Sequence, residues 1–312
     1  TNYAFNEFCD NVVTNNTTVN YLYSAYIYYY NGTNSWRTNR NYIVGNRVTG
    51  STGYHYFYLY YYYNYEVIGN VVAGNYANSQ YIYIYSGLSG SYTAEIRNNT
   101  FQANTSTAPT PGSSYIYGYF YLYYHTVWFT GNIIDLKGGG SNYYRYLYMY
   151  LSYSNPANLR EFNDNTYSLN NLFTYPYWYF NGANYTDWAG FSGAGVNGSR
   201  DNGVDPKFVN IAANDWRAGA WDVQNNVQYI PVNNKDCKSV ARNRTKHDRG
   251  GLETNTDLEA MSTNFTVPAQ VCAGYTAGAT WIALKSNYAY DKARNFNVSY
   301  SVNKGPKVSA VV

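Results

Sequence analysis

The chain has 312 residues, only 12% of them charged, and a formal net charge of +3 at pH 7. So weak a charge argues against nucleic acid or an anionic membrane surface as a partner, and no apolar run approaches the roughly 20 residues of a membrane-spanning helix. Tyrosine contributes 43 residues, and the overall composition is typical of an extracellular β-rich protein with a neutral, polar surface.

Tyrosine takes every second position in several segments of the chain. In the longest segment, Tyr115–Tyr123, the positions between the tyrosines include Ile116, Phe120 and Leu122. Because successive side chains of a strand point to opposite faces, each segment predicts a strand with one tyrosine face and one apolar face. The segments are Tyr26–Tyr28, Tyr54–Tyr60, Tyr81–Tyr85, Tyr115–Tyr123, Tyr146–Tyr150 and Tyr175–Tyr179. Their recurrence predicts tyrosine ladders on the outside of a repeated structure.

A second repeated unit is centred on an asparagine. An apolar residue stands three positions before it, a residue that tolerates a turn one position before it, and an apolar residue two positions after it. This order predicts a short strand, a tight corner and another short strand. We expect the asparagines to point inward and to hydrogen-bond between coils about 4.8 Å apart. The six structural asparagines are Asn11, Asn46, Asn70, Asn99, Asn132 and Asn165.

Both repeats together resemble the right-handed parallel β-helix of the pectate-lyase-like kind, over residues 1–253. Three later segments, Asp205–Asn210, Asp215–Arg217 and Asp248–Glu253, resemble the closing segment of secreted bacterial β-helix proteins. The resemblance implies an all-β fold, a right-handed parallel β-helix solenoid of about seven coils. It specifies the fold better than the function.

The tyrosine pattern stops after Glu253, and residues 254–312 predict antiparallel strands at Thr280–Leu284, Asn295–Val302 and Pro306–Val312. The segment that begins at Ala293 resembles the start of an Ig-like or CARDB-like β-sandwich, of which 61 residues supply only part. We therefore expect a partial module, and a chain that is a piece of a longer protein. The whole is similar to the giant SprB-like surface adhesins of gliding bacteria, which implies export by type IX secretion and an extracellular location at the bacterial cell surface.

The three cysteines cannot all pair. Cys237 and Cys272 could form one disulfide or stay reduced, and Cys9 is expected to be a small buried filler. The three histidines, His55, His125 and His247, have no metal-ligand spacing, so neither a metal nor a cofactor is expected.

One column of acidic residues stands four positions before the corner asparagines. It contains Glu7, Glu66, Glu95 and Glu161, while Tyr42 and Trp128 take its other two places. The column is expected to face solvent, with a weak ion site between Glu66 and Glu95 as the alternative. An enzymatic alternative, a β-helix polysaccharide lyase or glycoside hydrolase, would need a cluster such as Asp135, Glu161 and Asp164.

The tyrosine face is the candidate ligand-binding site, since tyrosine combines a large rigid area with a polar hydroxyl. It would suit sugars, through ring stacking, or the flat face of another protein. Arg145 is the only basic residue among these tyrosines, which disfavours nucleic acid. The candidate residues are Tyr56, Tyr58, Tyr60, Tyr81, Tyr83, Tyr85, Tyr117, Tyr119, Tyr121, Tyr146 and Tyr148.

These observations favour a non-enzymatic adhesin or filament segment. Its partners would be glycans, external surfaces or adjacent modules of the same long protein. A passive stalk, with tyrosines that serve rigidity alone, is the remaining alternative.

Overall fold

The structure is a computed structural model that describes most of the solenoid and four short strands after it. The described residues are 5–28, 35–49, 53–86, 92–105, 115–123, 126–136, 144–152, 159–169, 175–180, 182–191, 194, 200–220, 223, 227–228, 235–239, 242, 246–253, 262–264, 283–285, 297–300 and 308–311.

The chain forms a parallel β-solenoid, in which each strand pairs in parallel with the equivalent strand of the next coil. The predicted all-β fold and its parallel coils are thereby confirmed. The first sheet consists of Phe5–Cys9, Ser35–Asn39, Tyr65–Ile68, Thr93–Arg97, Thr126–Thr130 and Leu159–Asn163. The second sheet consists of Val12–Thr14, Tyr42–Val44, Val71–Ala73, Thr100–Gln102, Ile133–Asp135 and Thr166–Ser168.

Two further sheets complete the coils. The third sheet consists of Thr17–Thr18, Arg47–Val48, Tyr76–Ala77 and Asn104–Thr105. The fourth, which we call the tyrosine sheet, consists of Tyr21–Tyr28, Tyr54–Tyr61, Ser79–Ser86, Tyr115–Tyr123, Tyr144–Ser152 and Tyr175–Phe180, with Ala183–Tyr185 added antiparallel at its end. The described residues stack six parallel strands in each of the longest sheets, where the sequence predicts about seven coils. A bridge from Thr166 to Asn202 starts the next level.

Each coil turns from the first sheet into the second at a residue in the left-handed conformation. Glycine, asparagine and aspartate adopt this conformation most readily, which explains why they recur there. Gly131 has a second reason, because a Cβ at this position would lie 2.8 Å from Nδ2 of Asn98. The six corner residues have φ between 50° and 68° and are Asp10, Arg40, Gly69, Asn98, Gly131 and Asp164.

The solenoid interior is filled by columns of apolar side chains that the strand register places over one another. One column runs through the tyrosine sheet, and the side chains of its four central members are fully buried. It contains Ile27, Leu59, Ile84, Phe120, Met149 and Trp178. These residues alternate with the tyrosines along each strand, so the period-two pattern of the sequence separates core from surface.

The two ends of the solenoid differ. At the end that follows the last coil, the short helix Trp188–Phe191 places Phe191, which is fully buried, against Phe162 and Phe180. At the opposite end, Val12 is 71% exposed and Val19 is 64% exposed. Among the described residues, Phe191 therefore covers the last coil, whereas Val12 and Val19 of the first coil are exposed.

The described residues between 200 and 253, here called the covering segment, lie over the outer face of the second sheet. Trp216 packs with Tyr42 and Val71 in one buried cluster, and the Tyr42 hydroxyl donates to the Asn214 carbonyl at 2.7 Å. Arg249 donates to the carbonyls of Asn165 (2.6 Å) and Arg200 (2.7 Å). The segment includes the 3-10 helix Ile211–Ala213 and the antiparallel strands Val227–Gln228 and Lys246–His247.

The last part of the covering segment is closed by a buried ion pair. Arg242 donates to Oε2 of Glu253 at 3.0 Å, and the side chains of both residues are at most 3% exposed. The backbone N–H of Glu253 in turn donates to Asp236 at 3.0 Å. The motif that ends at Glu253 therefore fastens the covering segment to itself rather than forming an open site.

Beyond Glu253 the structure describes two antiparallel pairs. Ser262–Asn264 pairs with Ala283–Lys285, and Asn297–Tyr300 pairs with Val308–Val311. The second pair matches two of the predicted strands, and residues 303–305 between them lie outside the described residues. None of the helices in the described part of the chain is long enough to cross a lipid bilayer.

Candidate binding surface

The eleven candidate tyrosines lie together on the outer face of the tyrosine sheet. The strand register aligns tyrosines into three columns along the solenoid axis. The first contains Tyr23, Tyr56, Tyr81, Tyr117, Tyr146 and Tyr175. The second contains Tyr26, Tyr58, Tyr83, Tyr119, Tyr148 and Tyr177, and the third Tyr28, Tyr60, Tyr85, Tyr121, Tyr150 and Tyr179. The predicted tyrosine ladders are confirmed.

Within each column the rings stack face to face. The rings of Tyr83 and Tyr119 have centroids 4.5 Å apart and planes 3° apart, and those of Tyr150 and Tyr179 are 4.3 Å and 1° apart. Neighbouring columns are wider apart, with 6.0 Å between the centroids of Tyr119 and Tyr121. Stacked aromatic pairs at such distances contribute about 0.5–1.5 kcal/mol each beyond their buried area, so the columns stabilise the coil stack.

This stacking corrects one expectation about the surface. Sugars were expected to stack on exposed tyrosine rings, but the rings inside a column cover each other's faces. Tyr119, for example, lies between Tyr83 and Tyr148, with centroids 4.5 and 4.9 Å away. The tyrosine sheet therefore presents ring edges and hydroxyls outward. Open ring faces occur at the first strand, where Tyr21, Tyr23 and Tyr26 are 53–57% exposed.

The crowded rings also change the acidity of the hydroxyls. Burial by neighbouring rings raises the pKa of Tyr56 to about 12 and holds the pKa values of Tyr81, Tyr83 and Tyr119 well above their usual range. These phenols stay protonated at every physiological pH. The surface can therefore donate and accept hydrogen bonds without carrying charge.

The candidate list omitted column members from the first and last strands. Tyr23 and Tyr26 are three residues apart, and a bulge at Ser24 brings both onto the outer face. The Ser24 hydroxyl donates to the Tyr56 carbonyl at 3.1 Å, which fixes the bulge. Strict alternation detects only the Tyr26–Tyr28 part of this strand, because the bulge interrupts the pattern before it. The continued alternation at Tyr150 and Tyr179 could have extended the list.

The corner asparagines form an internal hydrogen-bonded ladder. Asn70 donates from its backbone N–H (3.0 Å) and from Nδ2 (2.9 Å) to Oδ1 of Asn99, and Nδ2 also donates to the Thr38 carbonyl at 2.7 Å. Asn99 and Asn132 repeat the arrangement one and two coils later. The side chains of these three asparagines are fully buried, as the inward orientation requires.

The structure differs from the sequence alignment in the second coil. Asn41, not Asn46, joins Asn11 to Asn70 in this ladder. Asn46 instead belongs to a second ladder with Asn16 and Asn75, at the corner between the second and third sheets. Both asparagines of this coil have an apolar residue two positions later, and only the long-range pairing identifies Asn41 as the member of this ladder.

The acidic column of the first sheet is neutralised by arginines. Because Asn41 is the true corner, Arg37 and not Tyr42 is the member from the second coil. Arg37 binds Glu7 at 2.8 Å and Glu66 at 2.6 Å, and Arg97 binds Glu95 at 3.2 Å. Within the described residues, no group of acidic, histidine or cysteine side chains has the arrangement of a metal site.

The residues of the enzymatic alternative occupy different surroundings. Asp164 is buried at a corner and receives two bonds from Arg200, at 2.7 and 2.8 Å. Glu161 faces outward on the first sheet, 3.8 Å from Arg97. Asp135 is buried in the second sheet, in register with Ser168. Arg200 also lies 4.0 Å from Glu161, so Glu161 and Asp164 share this arginine, while Asp135 belongs to another sheet.

His55 is enclosed in the solenoid, in register with Leu22 and Gln80. Its side chain is 1% exposed and its Nε2 has no hydrogen-bond partner within the described residues. Burial lowers the pKa of His55 to about 4. His125 lies outside the described residues, and of His247 only the backbone is described.

Acidification is therefore expected to destabilise the protein through His55. Between pH 6.5 and 4 the unfolded chain binds a proton that the folded chain does not, so the stability that is present above pH 6.5 is lost as the pH falls toward 4. The difference in melting temperature between the wild type and His55→Leu, measured from pH 8 to pH 4, should change in favour of the variant. A constant difference would show that His55 has the same pKa in the folded and unfolded states.

The structure describes two of the three cysteines, and both are free thiols. Cys237 is a free thiol in the covering segment, packed against the cluster that contains Trp216, and burial raises its pKa to about 12. Cys272 lies outside the described residues. Cys9 is also a free thiol, but it is only half-buried and therefore less enclosed than the predicted buried filler.

No protein-family model, curated protein or solved structure matches this chain.

Proposed function

We propose that this chain is a non-enzymatic binding segment of a bacterial cell-surface adhesin or filament. The tyrosine sheet would hold glycans, external surfaces or neighbouring modules. The observation that carries the proposal is the three uncharged columns of half-buried tyrosines on one face of the solenoid. Such a face combines rigidity with many neutral hydrogen-bonding groups, which are the properties of a recognition surface.

The resemblances in the sequence supply the finer part of the proposal. A pectate-lyase-like β-helix that continues into an Ig-like or CARDB-like module suits an extracellular protein of the SprB-like gliding adhesins. The closing motif that ends at Glu253 supports this affiliation. Its buried ion pair with Arg242 and its fit against the second sheet suit a segment that closes a β-helix.

The geometry of the columns favours a particular mode of binding. Because the tyrosine rings of a column cover each other's faces, a ligand on the central coils would contact the ring edges. It would form hydrogen bonds, as donor or acceptor, with the tyrosine hydroxyls. Neutral polysaccharides have the matching chemistry, since their hydroxyl and ring oxygens bond to phenols without ionic contacts. A charged ligand would find no counter-charge on the described tyrosine columns.

Removal of the hydroxyls is expected to abolish binding and leave the fold intact. The triple variant Tyr119→Phe, Tyr121→Phe and Tyr148→Phe keeps the stacked rings, so its melting temperature should stay close to that of the wild type. Its retention on neutral polysaccharides, measured by glycan array and pull-down, should fall at least about tenfold, since each lost hydrogen bond costs about 1 kcal/mol.

The same incubations distinguish the alternatives. Reducing ends or unsaturated products in the wild-type sample would identify a polysaccharide-degrading enzyme. Unchanged binding in the phenylalanine variant would mean that the hydroxyls of the central coils are not used. Absence of any binding would favour a passive stalk, for which the face-to-face stacking is itself the supporting observation.

A further inference from the structure

We infer that the second and third tyrosine columns are a site of oxidative cross-linking, at which neighbouring phenols of one strand couple to dityrosine. The co-substrate would be hydrogen peroxide, used by a haem peroxidase. This modification goes beyond the proposed function and does not depend on which ligand the tyrosine sheet binds.

On the central strands, the rings of these two columns lie side by side. The ring centroids of Tyr83 and Tyr85 are 6.1 Å apart, and their planes are 8° apart. The values for Tyr119 and Tyr121 are 6.0 Å and 4°. The next coil repeats the arrangement, at 5.9 Å and 10°, with Tyr148 and Tyr150. Because the hydroxyls of both columns point outward, the carbons ortho to the hydroxyl of one ring face those of its neighbour.

This side-by-side placement suits dityrosine better than the stacking within a column. A single bond between two ortho carbons holds the rings beside each other, not one above the other. The stacked rings of Tyr83 and Tyr119, with centroids 4.5 Å apart, are therefore poorly oriented for the bond. Their contact serves to pass a radical along the column until it lies beside a second one. Within the described residues no ring contact joins Tyr81 to Tyr83, so the first column is the poorer partner.

Other oxidisable side chains of the tyrosine sheet are enclosed. Met149 and Trp178 also react with oxidants, but they face the interior and are at most 1% exposed. Tyr83 and Tyr85 are only half-buried, so an oxidant reaches their hydroxyls and water takes up the released protons. Oxidation of the described part of this sheet is therefore directed to its tyrosines.

The reaction balances with one molecule of hydrogen peroxide for each cross-link. Each of the two phenols gives one electron and one proton to the peroxidase, which reduces hydrogen peroxide to two molecules of water. The two phenoxyl radicals then form a carbon–carbon bond between their ortho carbons. Each bonded carbon loses its hydrogen as a proton, and each phenol oxygen regains one. The resulting biphenol ionises more readily than phenol, so the modification would add negative charge to a neutral face.

Two single variants of the strand Ser79–Ser86, which contains three tyrosines, test the inference. Tyr81→Phe keeps the side-by-side pair Tyr83 and Tyr85, whereas Tyr85→Phe keeps only Tyr81 and Tyr83. Both variants retain the stacked rings, and thermal melts establish that they are folded. The full chain is treated with hydrogen peroxide and a plant haem peroxidase, then digested for mass spectrometry. The peptide that spans this strand should lose two hydrogen atoms and show dityrosine fluorescence in Tyr81→Phe, and this product should be lost in Tyr85→Phe.

The same treatment in urea is the control for the fold. Both remaining pairs have the same spacing in the sequence, so the two unfolded variants should give equal amounts of product. Equal amounts in the folded variants, or a difference that persists in urea, would overturn the inference. Absence of dityrosine from the treated wild type, or covalent dimers as its main product, would overturn it as well.

Discussion

Replacement of Asn99 by leucine is expected to lower the free energy of unfolding by about 3–6 kcal/mol. Asn99 donates to the carbonyl of Val67 at 2.7 Å and to Oδ1 of Asn132 at 2.9 Å, and its Oδ1 accepts from Asn70. Leucine fits the volume but leaves these fully buried groups without partners. Each buried group that loses its hydrogen bond costs about 1–3 kcal/mol.

Thermal melting of Asn99→Leu beside Asn184→Leu tests this expectation. Asn184 is exposed on the strand Ala183–Tyr185, so its replacement should leave the melting temperature nearly unchanged. Asn132→Leu should behave like Asn99→Leu, because its contacts are the same one coil later. Ligand preference should be unaltered in all three variants. An unchanged melting temperature for both ladder variants would contradict a stabilising role of the asparagines.

The parts of the fold that follow from local pattern were predictable. Alternation at Tyr115–Tyr123 reports directly which side chains share a face, so the tyrosine columns and the apolar interior follow from the sequence. Turn-tolerant residues before Asn70, Asn99 and Asn132 likewise marked real corners. These features depend on a strand and a corner, and on nothing beyond a few neighbouring residues.

The parts that depend on pairing between coils were not predictable. The second coil contains both Asn41 and Asn46, and the better local match is Asn46, because it follows Gly45. The true corner follows Arg40, which takes a left-handed φ of 54° that its residue type seldom adopts. The hydrogen bonds of Asn41 to Asn11 and Asn70 in the two adjacent coils outweigh the conformational cost at Arg40. The orientation of the tyrosine rings could not be predicted either, because contacts between neighbouring coils determine it.

Asp201 was missed because it is an acid in an asparagine position. It lies 36 residues after Asn165, close to the 33-residue spacing of the two coils before it, and it receives the bonds that an asparagine would receive. Burial raises the pKa of Asp201 to about 7, with a further contribution from Asp164, while the bonds from Asn165 and the charge of Arg249 oppose the rise. Its Oδ2 is buried without a hydrogen-bond partner in the described residues.

Asp201→Asn is accordingly expected to stabilise the protein at pH 8 and to have little effect at pH 4. The folded chain holds a proton on Asp201 up to about pH 7, whereas the unfolded carboxyl loses it near pH 4. The contribution of Asp201 to the stability of the wild type is therefore fully present at pH 4, decreases as the pH rises toward 7, and stays low above pH 7. Three pKa units correspond to about 4 kcal/mol, which is an upper bound for the gain at pH 8.

The difference between the two melting curves isolates this group from His55, whose contribution has the opposite slope and is common to both proteins. Asp215→Asn is the contrasting control. Its hydrogen bond from Arg217 lowers the pKa of Asp215, so its replacement should reduce stability at neutral pH rather than increase it. If Asp201→Asn gives no gain at pH 8 relative to pH 4, the pKa of Asp201 is not raised in the folded protein, and Arg249 compensates its charge. A gain that appears only above pH 4 means that an asparagine at position 201 would extend the ladder as its seventh member. Asp201 then lowers the stability of the folded protein at neutral pH when it takes that place.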